Sequence, residues 1–389
     1  LSRLEIHARQ LQKEIHDLAV PYHLAQALGE INRMEWFLAN VSELPASINF
    51  AWITGWTSDV EGQKLRDAIE LNSSHAILHF PDGPEGIQPP MMMRNPWWAK
   101  PFELFARMLG TPGSNEADPS RILAVMAPLL FGYMFGDVGQ GLVLLIAGLI
   151  LQKRWPLLRI LVVNGASAML FGFLFGSMFG REDLIPALWV HPIDDPLPVL
   201  AVPLVAGIVI ILTGMTLNAL ESSWRGEWLR WLHVDAPVVG LYLGVISSFF
   251  LEGTISVVII ASALTWYLIG NMLLAGGKLM PVLTSLASLI EVMMQLVLNT
   301  VSFVRVGAFA LAHAGLSLAF NIMADSAASA LLAMLILLLG NIIVIVLEGL
   351  VVSIQTTRLI LFEFFIRFLK ADGRVFKPLS SPITRTISL

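Results

Sequence analysis

Long apolar runs separated by short polar breaks dominate residues 121 to 370, whereas charged and apolar positions alternate at short intervals through the first 120. Near the N-terminus Leu4, Ile6, Leu11, Ile15 and Leu18 recur at helical spacing among Glu, Lys and Arg. That pattern predicts an amphipathic helix over residues 1–44, interrupted near Pro21. Ile48 to Gly55 and Ala76 to Phe80 read as strands and Asp59 to Leu71 as a helix, which together make half of a small α/β lobe over 47–84. Two strands alone make a poor sheet. The missing partner is most simply supplied by sequence upstream of Leu1, where the chain begins inside a helix already under way, so a fragment of a longer protein is expected. A Pro-rich stretch from Pro81 to Pro101 opens the linker of residues 85–120, with Trp97, Trp98 and Phe102 as interfacial anchors.

The apolar runs set the class of the remainder. Ile122 to Leu151 would be about 45 Å long as one helix, more than a hydrocarbon core of roughly 30 Å requires, and reads instead as a hairpin turning at Gly136-Asp137. Spans then fall near 122–135, 138–152, 157–178, 198–219, 236–251, 255–276, 282–324 and 327–369. The expectation is a mainly α, polytopic membrane protein with eight transmembrane helices, the last two long and tilted, carrying a partial cytoplasmic α/β and coiled-coil domain. Residues 1–120 form the cytoplasmic arm, 121–378 the membrane domain and 379–389 a cytoplasmic tail. With eight crossings the loops bearing Lys153, Arg154 and Arg159, then Arg225 and Arg230, then Lys278, and the tail with Lys370, Arg374 and Lys377, share the side of the N-terminal part. The opposite side receives Glu182, Asp183, Asp194, Asp195, Glu252 and Asp325, with Arg181 the exception. The positive-inside rule therefore places both termini in the cytoplasm. The similar segments FGYMFG and FGFLFGSMFG space Gly132/Gly136 and Gly172/Gly176/Gly180 four apart, which lets helix backbones approach closely.

Composition agrees and narrows the chemistry. The chain is 56% hydrophobic and 14% charged, with mean hydropathy +0.73, so the lipid bilayer is its solvent over much of its length. A net charge of -5 without a basic, aromatic-interleaved stripe argues against nucleic acid. The absence of cysteine removes disulfides, thiolate metal sites and a cysteine nucleophile.

Polar groups inside the last two apolar regions carry the candidate chemistry: Arg305 and His313 on one, Glu348, Gln355 and Arg358 on the other. Burying such groups costs from about 2.5 kcal/mol upward each, so they persist only with partners, water or a task. Arg305 and His313 lie about 12 Å apart along the helix and within roughly 80° of azimuth. Glu348 and Gln355 share a face, and Arg358 is one turn beyond Gln355. If the helix with Arg305 runs outward and the next returns, Glu291 and Gln295 lie on the cytoplasmic side of the arginines, and His313 and Glu348 on the outer side. A positive barrier between two polar approaches results. A guanidinium lowers the pKa of a carboxylate brought beside it and cannot itself relay the proton.

The segments NTVSFVRVGAFALAHAGLS (Asn299 to Ser317) and LEGLVVSIQTTRLILFEFFIRFLKADGRVFKPL (Leu347 to Leu379) resemble the last two helices of the membrane subunit a, or subunit I, of V-type and archaeal-type rotary ATPases. PFELFARMLGTP (101 to 112), EADPS (116 to 120) and PLLFGYMFGDVGQG (128 to 141) resemble that family's entry into the membrane. The resemblance implies that Arg305 and Arg358 face a rotor ring and separate two half-channels. It assigns His313 and Glu348 to the outer one and Glu291 and Gln295 to the cytoplasmic approach, with Gln355 in the path. It implies a ring of small carboxylate-bearing subunits and peripheral-stalk subunits as partners, a prokaryotic cell membrane as location, and no cofactor. Val306-Gly307 stands where the family often has Leu-Trp, and Leu359 to Phe362 is more apolar than in many relatives.

Three functions compete. Ion translocation coupled to a rotating ring fits the polar groups, with H+ and Na+ both open, and no G-x-x-x-x-G-K-[ST] loop places an ATP site in this chain. A secondary antiporter using the same Arg, Glu and His groups predicts repeated halves with broken helices, which the sequence lacks. A scaffold tethering a cytoplasmic arm leaves the buried charges unexplained. A membrane enzyme is disfavoured, since no H-E-x-x-H or nucleophile-base set falls on any span.

Overall fold

The computed structural model describes residues 7, 11, 24–41, 53–59, 61–71, 76–81, 89–113, 116–251, 253–276, 278–369 and 373–377. The chain divides into two compact units, Leu1–Met92 with Val375–Leu389, and Met93–Arg374.

In the first unit the described residues form α1 (Leu24–Val41) and α2 (Gln63–Leu71). The expected strands do not form at the described positions 53–55 and 76–80, where Ile77 is 95% exposed. A strand's apolar face has to be covered to be stable, and Ile53 and Ile77 are left exposed among the described residues. Residues 48–52, most of the helix expected before Leu24, and Glu252 and Lys370 lie outside the described residues. Among the described residues the only β pairing in this unit is an isolated bridge between Met91 and Val375, with Phe376 N–H donating to the Met91 carbonyl at 2.9 Å.

The second unit is helical: α3 (Glu103–Leu109), α4 (Ser120–Met134), α5 (Val138–Leu151), α6 (Arg159–Phe175), α7 (Pro196–Trp224), α8 (Trp228–Ser247), α9 (Gly253–Leu274), α10 (Leu279–Ser302), α11 (Val304–Asp325), α12 (Ala330–Ile343) and α13 (Gly349–Leu359). π-helical turns at Val344–Glu348 and Ile360–Phe364 bracket α13. Among the described residues six helical stretches are long and apolar enough to cross a bilayer: Pro156–Phe175, Pro196–Trp224, Trp228–Ser247, Gly253–Leu274, Met280–Asp325 and Ala330–Arg367. The two expected first crossings are shorter, with 15 residues in α4 and 14 in α5, about 22 Å each against a core of roughly 30 Å.

Direction reverses between α4 and α5. A Cβ on Gly136 would meet Phe175, one on Gly141 Met169, and one on Gly148 Val162, so α5 descends antiparallel to α6. The closest approach is at Gly172, where a Cβ would collide with the Val138 backbone nitrogen, a backbone contact that only glycine permits. The turn is pinned by Asp137, which is fully buried. Its carboxylate caps α5 by accepting from Gln140 N–H at 2.8 Å, and also accepts from Ser177 Oγ–H at 2.8 Å, Phe179 N–H at 3.0 Å and Gly180 N–H at 2.8 Å. The loop after α6 is thereby fastened to the turn before α5. Asn321 of α11 donates to the Gly180 carbonyl at 2.7 Å and joins the same knot.

α11 lies among α7, α12 and α4. Gly307 faces the Val199 carbonyl so closely that any Cβ would collide with it, which accounts for Val-Gly at this position in place of a bulky pair. Gly307→Ala is expected to lower stability by about 1–3 kcal/mol through forced separation of α7 from α11. Unfolding of the purified chain by SDS titration in mixed micelles would measure it, and an unchanged midpoint would refute the contact.

Candidate functional site

The long apolar region expected over 282–324 is interrupted at Phe303, a buried ring that separates α10 from α11 and packs on Gly207. Arg305 follows directly. Opposite, the two π-helical turns each add a residue to a helical turn and so change which side chains face α10 and α11; such turns recur at functional sites. Glu348 closes the first and Glu363 sits in the second.

These elements meet as a ladder of polar rungs. Asn299 Oδ1 accepts from Arg367 at 2.6 Å when its amide is oriented to satisfy both neighbours, its Nδ2 then donating to the Gln295 carbonyl at 3.2 Å. Ser302 Oγ–H donates to Glu363 Oε1 at 2.8 Å. Arg305 donates through Nη1 to Gln355 Oε1 at 3.0 Å, and its Nη2 donates to Ser302 Oγ and lies 3.6 Å from Glu363 Oε1. His313 Nδ1 and Glu348 Oε2 are 2.8 Å apart. The order 299, 302, 305, 313 against 367, 363, 355, 348 is what two antiparallel helices require, so the rungs fix their register.

Burial differs along the ladder. His313 is 2% and Glu348 9% exposed, and the Phe135 ring lies 4.7 Å from the imidazole, centroid to centroid. Arg305 is partly buried against the buried Glu363. Arg358 is exposed, lies in electrostatic range of both Arg305 and Glu363, and has no hydrogen-bond or ion-pair partner among the described residues. It stands in a row with exposed Leu350, Ile354, Phe362 and Ile366, the one charge in an apolar stripe.

Arg305, Gln355, His313 and Glu348 are thus brought together as two rungs, and Arg358 lies beside the first. Glu291 and Gln295 are exposed on α10 and contact each other, Gln295 Nε2 donating to Glu291 Oε1 at 3.4 Å, with no side-chain bond to the rungs among the described residues. Sequence reasoning missed Asn299, Ser302, Glu363 and Arg367. Glu363 and Arg367 carried a signal: they fall eight and twelve residues after Gln355, two charges inside the aromatic run FEFFIRF. The stretch after Arg358 thus adds two charged side chains to the ladder beyond the apolar Leu359 to Phe362.

Beyond His313 the same face of α11 continues with Ser317 and Asn321, both buried. His313 Nε2, Ser317 Oγ and Asn321 Oδ1, together with Gln140 Oε1, are buried atoms without a hydrogen-bond partner among the described residues. Polar atoms of this kind in a dry interior are costly unless water reaches them.

The sequence is similar to archaeal proteins over most of its length. The chain is 28% identical over 361 residues to "A-type ATP synthase subunit I" of Pyrococcus horikoshii, which covers 85% of this chain and 53% of the relative. Similarity to the subunit of the same name in Thermococcus kodakarensis is 25% over 362 residues, 85% of this chain and 54% of that one. The chain is a homologue of A-type ATP synthase subunit I. A bacterial relative, "V-type ATP synthase subunit I 2" of Treponema pallidum, is 30% identical over 154 residues, 35% of this chain and 34% of its own. No family model matches the chain. The chain spans about half the length of the archaeal subunit I relatives it matches. Its six long apolar helices and this homology make it an integral membrane protein.

Proposed function

We propose that this subunit I homologue is the membrane stator of a rotary A/V-type ATPase, in which Arg305 and Arg358 form a positive barrier between two half-channels for H+ or Na+. The observation that carries the reading is Arg358: an exposed guanidinium in an otherwise apolar stripe of the terminal helix, beside an Arg305 held by Gln355, Ser302 and Glu363. An uncovered charge at such a place is costly in lipid and is accounted for if a partner's carboxylates pass it. The apolar windows of Met280–Asp325 and Ala330–Arg367 are only 11% buried, against 17–33% in the other four long spans. A helical ring of small subunits would cover that face.

In this reading the carriers of the ion belong to the ring. A ring carboxylate loaded from one side stays neutral in the lipid, and on reaching Arg305 and Arg358 it is driven to its charged form and releases the ion. Neither arginine can pass the proton on, so leakage across the barrier is blocked. His313 and Glu348 receive or deliver the ion on the outer side, with the buried polar atoms of Ser317, Asn321 and Gln140 lining a route for water. Glu291 and Gln295 serve the cytoplasmic approach. Eight crossings, with both termini in the cytoplasm, arrange these groups in that order. Arg181, the cation on the outer side, is 3.3 Å from Asp325 in an exposed pair and so leaves the charge bias intact.

The test is ATP-driven ion uptake into vesicles holding the assembled complex, with and without sodium and a protonophore. Uptake abolished by protonophore and indifferent to sodium names H+; the reverse pattern names Na+. Uptake driven by a counter-ion gradient with no ATP would instead favour a secondary antiporter.

The outer rung gives a separate prediction. His313→Ala and Glu348→Gln are each expected to slow transport, and a double-mutant cycle on stability should return a coupling of about 1–2 kcal/mol. Strict additivity would mean that the 2.8 Å contact does not hold the two helices together.

A further inference from the structure

Away from the ladder, the entry segment of the membrane unit forms an open cleft of about 740 Å³, lined among others by Arg94, Asn95, Trp98, Lys100, Glu103 and Arg121. Arg94, Lys100 and Arg121 are exposed cations. Of the acids nearby, Glu103 lines the cleft and Asp118 is not among its lining residues. Glu103 is buried and accepts from Asn95 Nδ2 at 3.3 Å, while Asp118 accepts from the same Nδ2 at 2.6 Å and from Ser120 N–H at 2.9 Å. Three cations against one lining carboxylate leave the cleft net positive.

Its depth relative to a bilayer follows from two contacts. Ala117 N–H donates to the fully buried Glu221 Oε1 at 3.0 Å, so the entry segment lies level with the last turn of α7, where Trp224 is exposed, as is Trp228 at the start of α8. Ser120 begins the first apolar helix, α4. Trp97, 76% exposed, and Trp98 belong to the same entry segment, which Asn95 ties to Asp118 at 2.6 Å. Trp at helix ends marks the boundary between hydrocarbon and water. A cationic cleft at that boundary offers several charge-assisted donors to one phosphate, with rings beside it for glycerol and the first acyl carbons.

We propose that this cleft binds the headgroup phosphate of an anionic phospholipid, with Arg94, Lys100 and Arg121 as the phosphate ligands and Trp98 packing beside the glycerol backbone. The lipid ties the entry segment to the bilayer on the side of the membrane unit where α7 ends. A zwitterionic headgroup fits less well, because its own ammonium opposes the three cations.

The experiment is native mass spectrometry of the delipidated full chain titrated with phosphatidylglycerol, phosphatidylcholine and inorganic phosphate. Phosphatidylglycerol is expected to bind at least about tenfold more tightly than phosphatidylcholine, with inorganic phosphate competing only weakly. The R94Q/K100Q/R121Q variant should lose about tenfold in phosphatidylglycerol affinity, while K153Q/R154Q/R159Q, which removes three cations from another exposed loop, should stay within about twofold. If the first variant does not fold, Lys100→Gln and Arg121→Gln singly should each weaken binding about threefold. Equal losses in the two triple variants would reduce the effect to unspecific charge and overturn the proposal. So would unchanged affinity in the cleft variants, or inorganic phosphate binding as tightly as the lipid.

Discussion

Replacing Arg305 by glutamine is expected to abolish ATP-driven ion uptake by the assembled complex, a loss of at least about a hundredfold, and to lower the stability of the chain as well. The two effects have different causes. Transport fails because glutamine carries no charge to drive a ring carboxylate to its ionised form. Stability falls because Glu363, with a side chain 6% exposed, loses its 3.6 Å ion-pair partner and keeps the Ser302 hydrogen bond and the electrostatic influence of Arg358. Removing one partner of a buried pair costs about 3–5 kcal/mol when the remaining charge is uncompensated. The double variant Arg305→Gln with Glu363→Gln should therefore recover much of the stability and none of the transport. Arg305→Lys should recover neither in full, since a single ammonium cannot engage Gln355, Ser302 and Glu363 together as the guanidinium fork does. The readouts are vesicle uptake, assembly on a native gel, and the SDS-titration midpoint. Uptake that survives in a fully assembled Arg305→Gln complex would end the barrier assignment.

The largest expected loss of stability comes from Asp137→Ala. The substitution strands four donors, Gln140 N–H, Ser177 Oγ–H, Phe179 N–H and Gly180 N–H, around a site that is fully buried. Each bond to a charged acceptor contributes about 1.5–3 kcal/mol, without strict additivity, so a total near 4–6 kcal/mol is expected. Asp137→Asn should rescue little, because its amide N–H₂ would turn donors against donors. Function should suffer too: Phe135, two residues before the knot, packs on His313, so loosening the turn frees the imidazole from one wall. Unfolding measurements that place Asp137→Ala within about 1 kcal/mol of the parent would show that the knot is peripheral to stability.

Much of this could be read from the order of residues. Apolar runs of span length, interrupted at glycine, proline and charge, located most helices of the membrane unit to within a few residues, because in lipid every backbone group must be satisfied within its own helix, although α8 begins eight residues before the expected 236. The unusual cost of a charge in such a run likewise singled out Arg305, His313, Glu348, Gln355 and Arg358. The same reasoning failed for the strands at the described positions 53–55 and 76–80, where no β pairing forms. A strand's stability is lent by its neighbours, and its sequence does not contain them.

What the sequence by itself determined is the solvent, the placing of the helices and the short set of polar groups too costly to be accidental. These are local quantities, transfer free energies summed along a few turns. The tertiary structure alone decided which polar group meets which. The pairing of Arg305 with Gln355 and Glu363, and of His313 with Glu348, depends on the register of two antiparallel helices, on a break at Phe303 and on two π-helical turns that change the azimuth of every residue after them. Asp137 appeared in the sequence only as a turn residue; its role follows from a loop some forty positions away folding back to present its N–H groups. Such contacts are set by packing between distant segments, and a one-residue change in helical phase of roughly 100° is enough to make or lose them.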